Sequence, residues 1–198
     1  GVLFYCGYDI NELVKVSYEE VVHLLYYNKL PNRGELEKLT TALRAERELP
    51  QGVIDFLKHA PKTARPIDIM RTAVSMLGCY DLTRHDIDVG ENLATAIRLT
   101  SQIGVIAAYF HRSRLGLELP PVRKDLSEAA HFLYLMNGEV PSKEAEKTLD
   151  VAYILHAEHG FNASTFTARV VASTLSDMYS AISAAIGALK GPLHGGAN

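Results

Sequence analysis

The chain has no tryptophan and only two cysteines, Cys6 and Cys79, among its 198 residues. Two cysteines cannot form a disulfide framework, so an apolar core has to hold the fold, and a reducing, cytoplasmic location is expected. An excess of one charge is also missing. The formal net charge is −3. The densest basic spots, Arg112 with Arg114 and Arg123 with Lys124, are short and separated, so no nucleic-acid partner is expected. No apolar run approaches the ~20 residues of a membrane span, so a membrane partner is not expected either. Repeats, low-complexity linkers, a βαβ alternation and a Gly-x-Ser-x-Gly elbow are all absent, which argues against α/β folds and hydrolases of that type.

The signals that are present are helical. A chain of this length can bury roughly 70% of its unfolded surface. Ser17 with Glu20 and Asn32 with Glu35 have the spacing of capping boxes, each followed by apolar residues at helical intervals. Pro50 separates the second of these helices from the next. Pro66 opens another, which Gly78 can close in a left-handed conformation. A long helix is predicted from Glu91 to about Arg114. It is apolar on most of its circumference, as a central helix is. Asp125 is read as the cap of a further helix ended by Gly138, and Ser142 starts the next. Only Val2 to Tyr5 looks like a strand, part of a hairpin whose partner is not evident. The expected class is all-α, with at most a short N-terminal strand or hairpin.

Two places carry chemistry. In the helix begun at Ser142, Ala145, Leu149, Ala152, His156 and His159 are spaced 4, 3, 4 and 3, so both histidines are expected to point inward. Such a pair can be structural, can share a metal, or can bind an anion at a helix C-terminus. The segment is one residue short of the inverted zinc-protease pattern and offers no third ligand, so no metal is expected. Asn162 and Ser164 follow in a turn, and Ser164 alone reads as an N-cap. Small residues then interleave with Met178, Ile182 and Ile186, which suits close helix packing or a helix-to-helix subunit interface.

The other place is the terminal Gly191-Pro192-Leu193-His194-Gly195-Gly196-Ala197-Asn198. Gly191 can end a helix in a left-handed conformation, and Pro192 suits the start of a new one. His194 would then lie in its first turn, where the helix dipole disfavours imidazolium and favours a neutral N–H donor. Gly195 and Gly196 would let a ligand approach the backbone closely.

From His156 through Asn162, Ser164 and Asp177 to Asn198, the sequence resembles citrate synthase, most nearly the bacterial and archaeal short-chain forms. Gly7-Tyr8-Asp9-Ile10, Arg71-Thr72-Ala73-Val74 and residues 132–138 look like family landmarks as well. The resemblance implies a multi-helical large domain, with residues 1–190 its N-terminal part and 191–198 the truncated start of the small domain. It implies that His194 donates a hydrogen bond to the acetyl-CoA carbonyl and that Ser164 orients its ring. It also implies that His159 binds oxaloacetate, with Asn162 shaping the pocket and His156 in support. No permanently bound cofactor is implied; acetyl-CoA is substrate and CoA product. The base, an aspartate, the second catalytic histidine and most substrate-binding arginines of the family have no counterpart in these residues. A homodimer through the helices within residues 165–190 is implied.

The leading expectation is therefore a citrate synthase, an acyltransferase that condenses acetyl-CoA with oxaloacetate in the tricarboxylic acid cycle, with the chain inactive alone. The rival enzyme is 2-methylcitrate synthase, which uses propionyl-CoA. A non-catalytic helical dimerisation fragment is the alternative of another class. A hydrolase triad of Ser164, His194 and Asp177 is a remote further reading.

Overall fold

The structure is a computed structural model that describes residues 2–82 and 88–195. In chain order the elements are β1 (Phe4–Tyr5), β2 (Tyr8–Asp9), α1 (Ile10–Leu13), α2 (Tyr18–Tyr27), α3 (Arg33–Ala45), α4 (Gln51–His59), α5 (Pro66–Leu77), α6 (Val89–Leu115), α7 (Glu128–Asn137), α8 (Lys143–His156), α9 (Ala163–Ala172) and α10 (Met178–Leu189). The all-α expectation holds.

Most helix starts follow from local chemistry. Ser17 and Asn32 each accept from the backbone N–H three residues on, while Glu20 and Glu35 reach back to the cap, so both capping boxes form. Pro66 stands in the first turn of α5. Ser142 caps α8, and Gly138 ends α7 at φ 85°. Two expectations need correction. Ser127, not Asp125, caps α7, because the Asp125 carboxylate is held by Arg123 at 2.6–2.7 Å. The hairpin also has its partner strand. Phe4 pairs with Asp9 and Tyr5 with Tyr8 across Cys6 and Gly7, whose φ values of 48° and 87° give the doubly positive pattern of a primed two-residue turn.

The chain divides into two compact units. Residues 1–47 and 120–159 form the first, built on the hairpin, α1–α3, α7 and α8. Its apolar centre gathers Tyr5, Leu13, Val21, Leu24 and Ile154. The Tyr5 hydroxyl donates to the carbonyls of Ile154 at 2.9 Å and Leu155 at 3.2 Å, which ties the hairpin to the last turn of α8. A polar knot lies beside this core. The Arg47 guanidinium, with no exposure, donates to the Arg123 and Leu126 carbonyls and pairs with Glu128 at 2.5 Å. Glu19 accepts from the Glu128 N–H at 2.8 Å. Nearby His131 is buried with Nε2 unpartnered among the described residues. Burial, with the positive charge of Arg47 adding to it, holds its ring down at about 3.

Residues 48–119 and 160–198 form the second unit. Its axis is α6, whose Leu99, Val105, Ile106, Ala108 and Phe110 are buried. Over Gly90–Leu115 this helix is long and apolar enough to cross a membrane by length and composition, which corrects the sequence reading; half of its apolar window is buried in the fold, as in a core helix. Helix α10 packs against α9, α5 and α6. Gly78 does close α5, but at φ −60° rather than in the left-handed region. What requires glycine there is the approach of α10: a Cβ would stand 3.1 Å from the Cβ of Tyr179. Gly78→Ala is expected to cost about 1–3 kcal/mol by overpacking, read as a lower urea midpoint with an unchanged slope. An unchanged midpoint would show that α10 yields freely.

Candidate functional site

The second unit brings Ser164 and His194 together. Asn162, not Ser164, is the N-cap of α9, its Oδ1 accepting from the Ser164 N–H at 2.9 Å and the Thr165 N–H at 3.1 Å. Its Nδ2 donates to the Thr165 hydroxyl. That leaves the Ser164 side chain, in the first turn, free to point elsewhere. Its Oγ lies 2.8 Å from His194 Nε2, and its O–H donates to the Ala185 carbonyl of α10 at 3.0 Å. The small residues of α10 allow this approach: Ala181 is buried, and Ala184, Ala185 and Gly187 add no bulk.

His194 is reached by a turn. Its N–H donates to the Gly191 carbonyl at 3.0 Å. Gly191 is not in the left-handed region, since the positive-φ glycines among the described residues are Gly7, Gly116, Gly138 and Gly160. The glycine at 195 also has a reason other than ligand access, because a Cβ there would fall 2.8 Å from the Leu189 carbonyl oxygen. Pro192, Leu193 and His194 form a turn rather than the expected first turn of a new helix, so among the described residues no helix dipole acts on the ring there; Gly196, Ala197 and Asn198 lie outside the described residues.

A hydroxyl between a carbonyl and an imidazole nitrogen has one proton to give. If Ser164 donates to Ala185, Nε2 must carry a hydrogen and donate to Oγ. If Ser164 donates to Nε2, a neutral ring carries its hydrogen on Nδ1 instead. The pair therefore fixes the ring plane and links its tautomer to one hydroxyl rotor. Asp177 does not complete a triad. It caps α10, accepting from the Ser180 N–H at 2.9 Å and hydroxyl at 2.7 Å.

His156 and His159 belong to the first unit, and neither points inward as the spacing predicted. Both are exposed. Helix α8 buries Asp150 and Ile154, and His156 stands about 200° round the helix from Ile154. His156 Nδ1 donates to the Ala152 carbonyl at 2.7 Å, one turn back. His159 lies past the helix end, where the 3.6-residue period no longer applies.

One polar cluster escaped the sequence reading. In the second unit a cavity of about 410 Å³ is lined by Glu48, Leu77, Asp81, Arg98, Gln102 and Tyr179, among others. Asp81 accepts from Arg98 and from the Tyr179 hydroxyl, each at 2.7 Å. Burial is the main reason that this phenol is pushed up to about 12. Asp81 lies 17 residues from Arg98 and 98 from Tyr179 in sequence, so no local spacing could have flagged these contacts. No group of three His, Cys, Asp or Glu residues able to hold a metal ion occurs among the described residues.

Comparison with known proteins agrees with this architecture. The family model described as "Citrate synthase, C-terminal domain" matches residues 1–198. Citrate synthase 2 of Bacillus subtilis is 47% identical over 198 residues, covering 99% of this chain and 53% of that protein. The 2-methylcitrate synthase of Shewanella oneidensis is 45% identical over 198 residues, covering 99% of this chain and 52% of the enzyme. The solved ternary complex of carboxymethyl coenzyme A and oxaloacetate with the citrate synthase of Thermoplasma acidophilum superposes with a TM-score of 0.94 at 30% identity, covering all of this chain and 52% of that one. The chain thus spans about half the length of the relatives it matches. A family match along the whole chain, at these identities and on this helical fold, means that the chain belongs to the citrate synthase family.

Proposed function

We propose that this chain supplies the thioester-polarising part of a citrate synthase site. The observation that carries the reading is the 2.8 Å contact between Ser164 Oγ and His194 Nε2. It leaves Nδ1 as the nitrogen available to a ligand. With Nδ1 protonated, a neutral His194 donates to the acetyl-CoA carbonyl while an aspartate, which the family resemblance assigns outside these residues, takes a methyl proton. The enol's carbon attacks the ketone of oxaloacetate, whose oxygen gains a proton. Water then cleaves the citryl thioester to citrate and CoA. Ser164 is a positioning residue here, and His159, Asn162 and His156 are proposed as oxaloacetate-binding residues on the family resemblance alone. Oxaloacetate and a CoA derivative as partners are supported by the ligands of the Thermoplasma complex, carboxymethyl coenzyme A and oxaloacetate.

Propionyl-CoA is the second reading, supported by the Shewanella relative, whose 45% identity is close to the 47% of the Bacillus enzyme. The test is CoA release from each thioester with oxaloacetate, using a protein that contains this chain and the remaining half. A higher kcat/KM for acetyl-CoA is expected. Preference for propionyl-CoA favours 2-methylcitrate formation, and no CoA release from either contradicts both. The 198-residue chain alone is expected to give no turnover, because a donor can polarise the thioester but does not remove its proton.

Self-association is part of the proposal. Phe161, Phe166, Val170 and Leu175, on and beside α9, are more than half exposed except Val170 at 50%. An apolar patch of this kind suits a second copy. Sedimentation should give a dimer that Phe166→Glu shifts toward monomer; a monomeric parent chain would count against it.

A further inference from the structure

The reading above needs His194 to carry its hydrogen on Nδ1. The two contacts made by Ser164 favour the other tautomer. We infer that the Ala185 carbonyl, acting through the Ser164 hydroxyl, holds the hydrogen of His194 on Nε2 until substrate binds, so that the donor form is reached only when a ligand carbonyl arrives. The inference rests on that reading for its functional meaning, but not for its test.

Two arrangements of one proton chain compete. In the first, Nε2–H donates to Ser164 Oγ and the Ser164 O–H donates to Ala185, using both observed contacts, 2.8 Å and 3.0 Å. In the second, Ser164 donates to Nε2 and gives up the Ala185 contact. The first arrangement therefore makes one more hydrogen bond, and a half-buried hydroxyl satisfied as both donor and acceptor is the better state. A thioester oxygen facing Nδ1 restores the missing bond, and in the first arrangement it would meet a bare Nδ1 lone pair, so the balance then tips to the second arrangement. The proton on Nε2 leaves to water and water supplies the one on Nδ1, while Ser164 keeps its own hydrogen and only rotates, so the ring is neutral before and after the exchange. Ser164 would thus keep the site from presenting a donor until the acyl group is seated, a step coupled to ligand binding by differential affinity for the two tautomers.

The test is ¹⁵N NMR of the histidine rings in the ligand-free 198-residue chain, at a pH well above the ordinary imidazole range, with His194 assigned by its loss in His194→Asn. Long-range proton–nitrogen correlations tell a protonated ring nitrogen from a bare one. The expected result is Nε2–H with bare Nδ1. Ser164→Ala should lower the Nε2–H to Nδ1–H ratio by about fivefold to tenfold, the size of one neutral hydrogen bond. Ser164→Thr, which keeps the hydroxyl, should restore it. An Nδ1–H ring in the parent chain, or the same ratio in Ser164→Ala, overturns the inference. Failure of CoA release in the complete protein would instead count against the citrate synthase reading and leave this result standing.

Discussion

Replacing Arg47 with methionine is expected to lower stability by about 3–5 kcal/mol, a large fraction of the 5–15 kcal/mol typical of a domain. The guanidinium is fully buried, and its partners are the Arg123 and Leu126 carbonyls and the Glu128 carboxylate. Removing it strands two carbonyls and leaves a buried acid without its hydrogen-bonded cation, with only the weaker pull of Arg44 remaining. The side-chain volume is largely kept, so the loss reports on polar partners rather than on a cavity. Glu128 is already pushed above the usual carboxylate range by burial, against the pull of Arg47. Without Arg47 it would take up a proton in the fold. The double variant Arg47→Met with Glu128→Leu should recover part of the loss, because removing a whole buried pair costs less than breaking it. Chemical denaturation of the three proteins checks this. A single variant within 1 kcal/mol of the parent would show that water reaches the knot.

The same region sets a pH dependence. His131 is held at about 3 in the fold, against about 6.5 in an unfolded chain. Well above pH 6.5 neither state binds a proton at this ring, and it adds no slope. Below that the unfolded state binds more protons, so stability falls as pH drops from about 6.5 toward 3. His131→Phe should flatten this limb of the stability curve, although other groups still titrate there.

The second large effect is on turnover. In a complete protein that contains this chain, His194→Ala is expected to lower kcat for CoA release by about 10²–10³, the usual cost of one donor to a developing oxyanion. The melting temperature should hardly change, since the ring is only half-buried and Leu193 beside it is fully exposed. Loss of the fold in this variant would make His194 a structural residue. Turnover within threefold of the parent would remove it from the chemistry.

What the sequence made legible was local. Ser17–Glu20 and Asn32–Glu35 could be read because cap and N3 residue lie three apart, and the structure forms both boxes. The contact of Ser164 with His194 spans 30 residues; family resemblance, not spacing, pointed to it. Periodicity misplaced His156 and His159 because it was carried past the end of α8, and because the face buried by Asp150 and Ile154 is not the one that contains Ala145 and His156. The Arg47 knot joins residues 76 to 81 apart through two backbone carbonyls, and backbone partners leave no mark in a side-chain pattern. Gly78 closes α5 as its sequence suggests, but the need for glycine there comes from Tyr179, a neighbour about a hundred residues on that only packing reveals.

The central claim is that Ser164 acts on the reaction through His194. A double-mutant cycle on kcat in the complete protein tests it most directly, because residues that act as a unit are strongly non-additive. Ser164→Ala alone should slow turnover, and adding it to His194→Ala should cause no further loss. If the two losses multiply, the hydroxyl and the imidazole work independently, and the site described here is not one unit.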